Sequence, residues 1–151
     1  MPLTKKEIIA FIAGLFEGEG SISIRNLSEK SWNKRTDYSL LVRISNTDRA
    51  LLDWVVANYG GKIYKSSCVN RKTVWAWLVS TKKAEAFLRD VMPYLICKKE
   101  RAELALRFRR TKDNGHRRWY RIPEEISKLR ESLYMKLKEL NAKGGAYVSA
   151  H

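Results

Sequence analysis

Histidine and cysteine are almost missing from this chain, with two of each among 151 residues. Cys68 and Cys97 lie far apart and form no CxxC pair, which excludes a zinc ribbon and a disulfide framework and leaves both as expected reduced packing residues. His116 and His151 are too few for a zinc site or a histidine-based nuclease centre. No apolar run approaches the roughly eighteen residues that a membrane-spanning helix requires, and the apolar stretch near the amino terminus is broken by glycines and acids, unlike a signal peptide. There is no ExK or DxK tripeptide of the kind that restriction-type nucleases use. The expectation is a soluble, intracellular protein with no membrane partner and no small-molecule cofactor.

Acids are also scarce. Asp and Glu total 16 against 30 Lys and Arg, a formal charge of +14. Such an excess points to a polyanionic partner, and nucleic acid is the default. A basic membrane-binding surface would need a basic amphipathic helix with a free apolar face, and no segment offers one. At 44% hydrophobic and 30% charged residues the composition is globular. The length suits one domain, with a core over about residues 4–110 and a helical extension over about 111–143.

Thr4 to Glu7 reads as a capping box opening a helix of about four turns, with Ile8, Ile9, Phe11, Ile12, Leu15 and Phe16 as its apolar residues. Ser21 to Arg25 then alternates with the period of a strand, Ile22 and Ile24 inward, Ser21, Ser23 and Arg25 outward. A polar, basic loop from Asn26 to Asp37, carrying Lys34 and Arg35, leads to a second strand, Tyr38 to Asn46. There Leu40, Val42 and Ile44 face in, and Ser39, Leu41, Arg43 and Ser45 face out. Asn46-Thr47-Asp48 caps a helix ended by Gly60-Gly61. Two more strands, Lys62 to Val69 and Thr73 to Ser80, are joined around Asn70-Arg71-Lys72, with Lys62, Tyr64 and Ser66 on one face. Trp75 and Trp77 share a face and are read as packing under the carboxy-terminal segment. Thr81 caps a helix stopped by Pro93. A helix from about Lys98 to Arg110 directs Leu104, Leu106 and Phe108 to the core. A loop from Lys112 to Arg121 interleaves arginine with Trp119 and Tyr120. Ile122-Pro123 opens a last helix whose stripe of Ile126, Leu129, Leu133, Leu137 and Leu140 ends before Gly144-Gly145. The fold class is therefore α+β: two hairpins forming a four-stranded antiparallel sheet, helices on one face and an open polar face on the other.

The segment Phe11-Ile12-Ala13-Gly14-Leu15-Phe16-Glu17-Gly18-Glu19-Gly20 breaks several local rules. Glycine inside a helix costs about 1 kcal/mol relative to alanine, and Gly14 and Gly18 fall on one face, where another backbone could approach. Glu17 and Glu19 sit at the negative end of the helix dipole, a penalty of roughly 0.3–1 kcal/mol each that a nearby cation would reverse. From Ile12 to Gly20 the string resembles, position by position, the signature of the LAGLIDADG homing endonucleases, with glutamate where aspartate is usual at both acidic positions. The αββαββα order extends the resemblance over about the first 110 residues.

That resemblance implies a pair of motif helices packed across a dimer axis, here through Phe11, Gly14, Leu15, Glu17 and Gly18 of two identical chains, since one copy of the motif is present. It implies Glu19 as ligand of a divalent metal, Mg2+ with Mn2+ as a substitute, aided by Gly18. It also aligns Asn46 with a polar residue that positions water and Lys98 with an active-site lysine. Read from the residues alone, Asn46 is more often just a helix cap and Lys98 one lysine among many, and Arg49 only loosely matches a further family arginine. Ser21, Ser23, Arg25, Lys34, Arg35, Ser39, Arg43, Lys62, Tyr64, Ser66 and Arg71 are the residues expected on DNA. The implied activity is double-strand cleavage of a pseudo-palindromic DNA site with short 3′ overhangs, by a protein encoded within an intron or intein. The alternatives are an RNA-splicing maturase and a non-catalytic DNA-binding regulator on the same fold.

Overall fold

The computed structural model of the chain describes residues 1–27, 37–112 and 122–149. Helix α1 (Lys5–Glu19) opens on the expected capping box: Thr4 Oγ1 accepts the Glu7 N–H at 3.3 Å and Glu7 Oε2 accepts the Thr4 N–H at 2.6 Å. Strands β1 (Gly20–Asn26) and β2 (Tyr38–Asn46) form the first hairpin, followed by α2 (Arg49–Tyr59). Strands β3 (Lys62–Val69) and β4 (Lys72–Ser80) form the second, followed by α3 (Thr81–Val91) and a 3-10 turn at Met92–Tyr94. Helices α4 (Lys99–Arg110) and α5 (Glu124–Ser149) complete the described chain.

The four strands make one antiparallel sheet in the order β1-β2-β4-β3. Period-two alternation sorts its faces. Ile22, Ile24, Leu40, Val42, Ile44, Trp77 and Val79 are buried on the helix side, and the cross-strand pairs Ser21↔Arg43, Ser23↔Leu41 and Arg25↔Ser39 alternate with them onto the other. The β3–β4 turn uses Asn70 and Arg71, both at positive φ (50° and 67°), the geometry a two-residue hairpin needs to match strand twist. Ser66 is bulged in β3 between Lys65 and Ser67, and its hydroxyl accepts from Arg43 on the open face.

Phe87 of α3 sits at the centre of the core. Its ring meets Phe16 at 5.1 Å, Tyr59 at 5.0 Å and Trp77 at 5.1 Å, and burying each such side chain stabilises the fold by about 1.5–3 kcal/mol. Trp77 Nε1 donates to the Gly60 carbonyl at 2.8 Å. Gly61, at φ +88°, could carry no Cβ here, since one would fall 2.7 Å from that same indole nitrogen. The tryptophans thus pack as expected, but against α2 and α3: Trp77 is fully buried and half-buried Trp75 lies 4.6 Å beneath the Arg49 guanidinium.

Several expectations need correction. Cys68 and Cys97 are both exposed, not packing residues. Leu129 is 42% exposed, because α5 presents only Leu133 and Leu137 squarely to the core. That helix also continues through Gly144-Gly145 to Ser149 instead of stopping before them. The cap of α3 is Ser80, not Thr81, which becomes the first helical residue at φ +53°, a strained setting for a β-branched side chain. Asn141 of α5 donates to the Ile22 carbonyl at 2.9 Å, covering the β1 edge of the sheet. No described helix is long and apolar enough to cross a membrane.

Candidate functional site

Helix α1 has two working sides. Ile12, Ala13 and Phe16 are fully buried against the sheet. Phe11, Gly14 and Gly18 are exposed and Leu15 partly so, at the i, i+3, i+4, i+7 spacing of one stripe. A Cβ built on Gly14 or Gly18 meets nothing within 4 Å, so nothing in the chain's own packing calls for glycine at either position. Gly20 is the opposite case. A Cβ there would sit 2.1 Å from Phe16 Cδ2 and 2.6 Å from the Phe16 carbonyl oxygen, so only glycine lets the helix pass directly into β1. That junction leaves Glu19 exposed where the helix ends and the open face of the sheet begins.

Glu17 and Lys98 meet beside it. Glu17 Oε2 accepts the N–H of Ile96 at 3.2 Å and of Cys97 at 2.9 Å, and Oε1 accepts the N–H of Lys98 at 2.8 Å. The Lys98 ammonium donates back to the Glu17 carbonyl oxygen. Burial pushes the Glu17 carboxyl up, but the three N–H donors and the Lys98 charge outweigh it and hold the group below its usual range. Burial also lowers Lys98, with Arg101 adding to the effect, against the pull of Glu17, Cys97 and Glu19. Glu17, expected at a dimer interface, therefore spends both carboxylate oxygens inside its own chain. Sequence reasoning missed this role because its partners lie about eighty positions away.

Asn46 ends β2 at the same end of the sheet, two residues past Ile44, which pairs with Gly20. Its Oδ1 accepts the Asp48 N–H at 2.7 Å, and Asp48 in turn caps α2 at Ala50. The helix cap is thus Asp48 and not Asn46, which instead closes the turn before the cap and keeps its amide nitrogen able to donate. Arg49 stacks on Trp75 and lies 3.7 Å from Asp53, away from the acidic end of α1 in its interactions.

On the open face, Arg43 Nε donates to Ser45 Oγ at 2.9 Å and the same guanidinium donates to Ser66 Oγ across the sheet. Ser21, Ser23, Arg25, Ser39, Lys62 and Tyr64 share that face through the strand register, with Tyr64 49% exposed, and Arg71 is exposed at the β3–β4 turn. Ser45 was not singled out from sequence; its place two residues from Arg43 on the same face of β2 was the available signal. Lys62, Lys82 and Lys83 line a depression at the outer end of the sheet. Lys34 and Arg35, and the loop expected from Lys112 to Arg121 beyond Lys112 itself, lie outside the described residues.

Among the described residues there is no group of three or more His, Cys, Asp or Glu that could hold a metal ion. One chain offers the exposed Glu19 carboxylate and the Gly18 carbonyl, hard oxygen donors of the kind Mg2+ prefers, but only half of a plausible set.

Comparison with known proteins adds the following. The profile of a family described as LAGLIDADG endonuclease matches residues 12–96. No curated protein matches the sequence. Among solved structures, the chain resembles the homing endonuclease I-CvuI in complex with its target (TM-score 0.70, 18% identity, covering 89% of this chain and 82% of that one). It is equally similar to the archaeal intron-encoded homing endonuclease I-Vdi141I complexed with DNA (TM-score 0.69, 18% identity, 87% and 82%). It also matches the I-SmaMI LAGLIDADG homing endonuclease bound to cleaved DNA (TM-score 0.67, 16% identity), covering 87% of this chain but 43% of that one. At these identities the likeness is one of fold, and the last relative is a chain of which this one spans less than half.

Proposed function

As a member of the LAGLIDADG endonuclease family, which residues 12–96 match, this chain is a DNA-cleaving hydrolase, and we propose that it works as a homodimer cutting both strands of a pseudo-palindromic site. The observation that carries this reading is the open stripe of Phe11, Gly14, Leu15 and Gly18 running down α1 to the exposed Glu19. Two such stripes facing each other bring two Glu19 carboxylates to one axis, and a two-fold protein calls for a two-fold target.

The donor set that results, two Glu19 carboxylates with the Gly18 carbonyls, fits Mg2+, with Mn2+ as a substitute. The I-CvuI complexes obtained with Ca or Mg support a divalent ion of this class. When bound, such an ion activates water and stabilises charge on the leaving oxygen of the phosphodiester. Within the chain, Glu19 holds the acidic pole of the centre and Lys98, half-buried and anchored at its own backbone, presents an ammonium to the phosphate. Asn46 orients water through its free amide donors. The open face takes one half-site: Arg43 and Arg25 reach base edges, Ser21, Ser23, Ser39, Ser66 and Tyr64 add direct or water-mediated contacts, and Lys62 and Arg71 neutralise phosphate. Short 3′ overhangs and an origin within an intron or intein belong to the same reading.

The test is a plasmid library of randomised sites incubated with the protein with and without Mg2+. The expected result is linear product from a subset of sites only with the ion, while Glu19→Gln binds those sites and leaves them uncut. Cutting by Glu19→Gln at the unmutated rate would overturn the assignment; binding without cutting by the unmutated protein would favour a regulator.

A further inference from the structure

The two acids that close α1 have separate tasks, and that of Glu17 is written in its hydrogen bonds. Helix α4 begins without a cap of its own: its N-cap residue is Lys98, which makes no side-chain capping bond, and the first N–H groups of a helix need acceptors. Glu17 instead fixes the turn that leads into it, bonding the N–H groups of Ile96, Cys97 and Lys98, the three residues just before the helix, with both oxygens. Lys98 answers by donating its ammonium to the Glu17 carbonyl, one of the unpaired carbonyls at the end of α1. The negative end of one helix and the positive end of the other are thereby closed into a ring between residues 17 and 98. We propose that Glu17 is a positioning residue of the cleavage centre, clamping the start of α4 to the end of α1 so that Lys98 is held beside Glu19. This rests on the nuclease reading, since it needs Lys98 to act at the scissile phosphate. What separates it from a general staple is the residue anchored: the clamp closes on Lys98 itself, through backbone and ammonium alike, and its other jaw, Glu17, stands two residues before Glu19 at the end of α1.

Glu17→Gln keeps one acceptor but turns an amide N–H2 toward an N–H donor, so the three bonds cannot all survive. Glu17→Asp retains both oxygens on a stem one methylene shorter. Amide hydrogen exchange, measured without metal or DNA, should show loss of protection at Ile96, Cys97 and Lys98 in the Gln variant and partial retention in the Asp variant. Single-turnover cleavage at saturating DNA should fall roughly 10- to 100-fold in the Gln variant, the scale expected for misplacing a catalytic group by about an ångström, with DNA affinity within about twofold. In a Lys98→Met background the same change should cost almost nothing further, because its route to the reaction is already gone. Should Glu17→Gln fail to fold, Glu17→Asp carries the cycle, with a smaller loss that also vanishes in Lys98→Met. An equal loss in both backgrounds, or unchanged exchange at 96–98, would overturn the assignment while leaving the nuclease intact. Absence of any cleavage by the unmutated protein would overturn the nuclease reading and the assignment with it, whatever the exchange data show.

Discussion

Replacing Gly14 with leucine separates what the single chain needs from what a pair of chains needs. A Cβ at position 14 meets open space, with no atom of the chain within 4 Å, so the substitution should be harmless to the monomer fold. It should in fact help it, since leucine recovers most of the about 0.8–1 kcal/mol by which glycine falls below alanine in helix propensity. At concentrations low enough to keep the protein monomeric, that gain corresponds to a rise in Tm of roughly 2–4 °C for a chain of this size. The dimer should respond in the opposite sense. If two α1 helices meet along the Phe11, Gly14, Leu15 and Gly18 stripe, an inserted isobutyl group overpacks the contact at about 1–3 kcal/mol. Two-fold symmetry doubles this to roughly 2–6 kcal/mol, a dimer dissociation constant weakened about 30-fold to about 10⁴-fold. Sedimentation velocity over a concentration series, with and without DNA, reads the dissociation constant, and circular dichroism of the dilute protein reads the fold. Unchanged dimer affinity together with unchanged cleavage would refute the packing argument. So would an unfolded variant, which would show that glycine at 14 serves the monomer.

Gly20→Ala should destabilise the chain by about 1–3 kcal/mol through overpacking, because its Cβ would fall 2.1 Å from Phe16 Cδ2; urea unfolding checks this, and a change below the measurement error would show that the α1–β1 junction relaxes freely. Arg43→Ala should flatten the preference at one position in each half-site by about 1–3 kcal/mol, read by selection from a randomised library, and an unaltered recognition profile would mean that Arg43 serves Ser45 and Ser66 instead of DNA. The acid response of Glu17 follows from its lowered pKa. A carboxyl whose folded value lies below its ordinary 4.5 contributes stability that is present above that value and is lost as pH falls through the folded value. The stability difference between the unmutated protein and Glu17→Gln should therefore be largest near neutrality and shrink as pH falls below the ordinary carboxyl value of 4.5 and on through the lowered one. A difference flat with pH would show that the carboxylate is not held in its charged form.

The sheet and its two faces were legible because alternation at Ser21 to Arg25 and Tyr38 to Asn46 is strict and each strand has one buried side. The capping box at Thr4 and Glu7 and the Gly60-Gly61 stop were equally local signals, and the structure reproduces them. Non-local features were not legible. Glu17 looked like a surface or interface acid until its partners at 96–98 were brought to it by the whole intervening fold. Ser66 falls on the face that alternation gives it, but the bulge in β3 that puts Ser67 opposite Val74 leaves no periodic trace. Leu129 fitted the leucine stripe of α5 yet faces solvent, since helix periodicity says which residues share a side but not how wide the covering partner is. The acidic site was legible as a pattern in Ile12 to Gly20, whereas its completion needs a second chain that one sequence only implies.

The central claim is that two copies of this chain join through α1 and place their Glu19 carboxylates on a shared divalent cation beneath the DNA. A crystal of the protein with a cleavable DNA site and Mn2+, measured at the manganese absorption edge, tests it most directly. The account predicts anomalous density on the axis between two α1 helices, within coordination distance of both Glu19 side chains. Anomalous density elsewhere, or Glu19 side chains held apart with no ion between them on bound DNA, would contradict it.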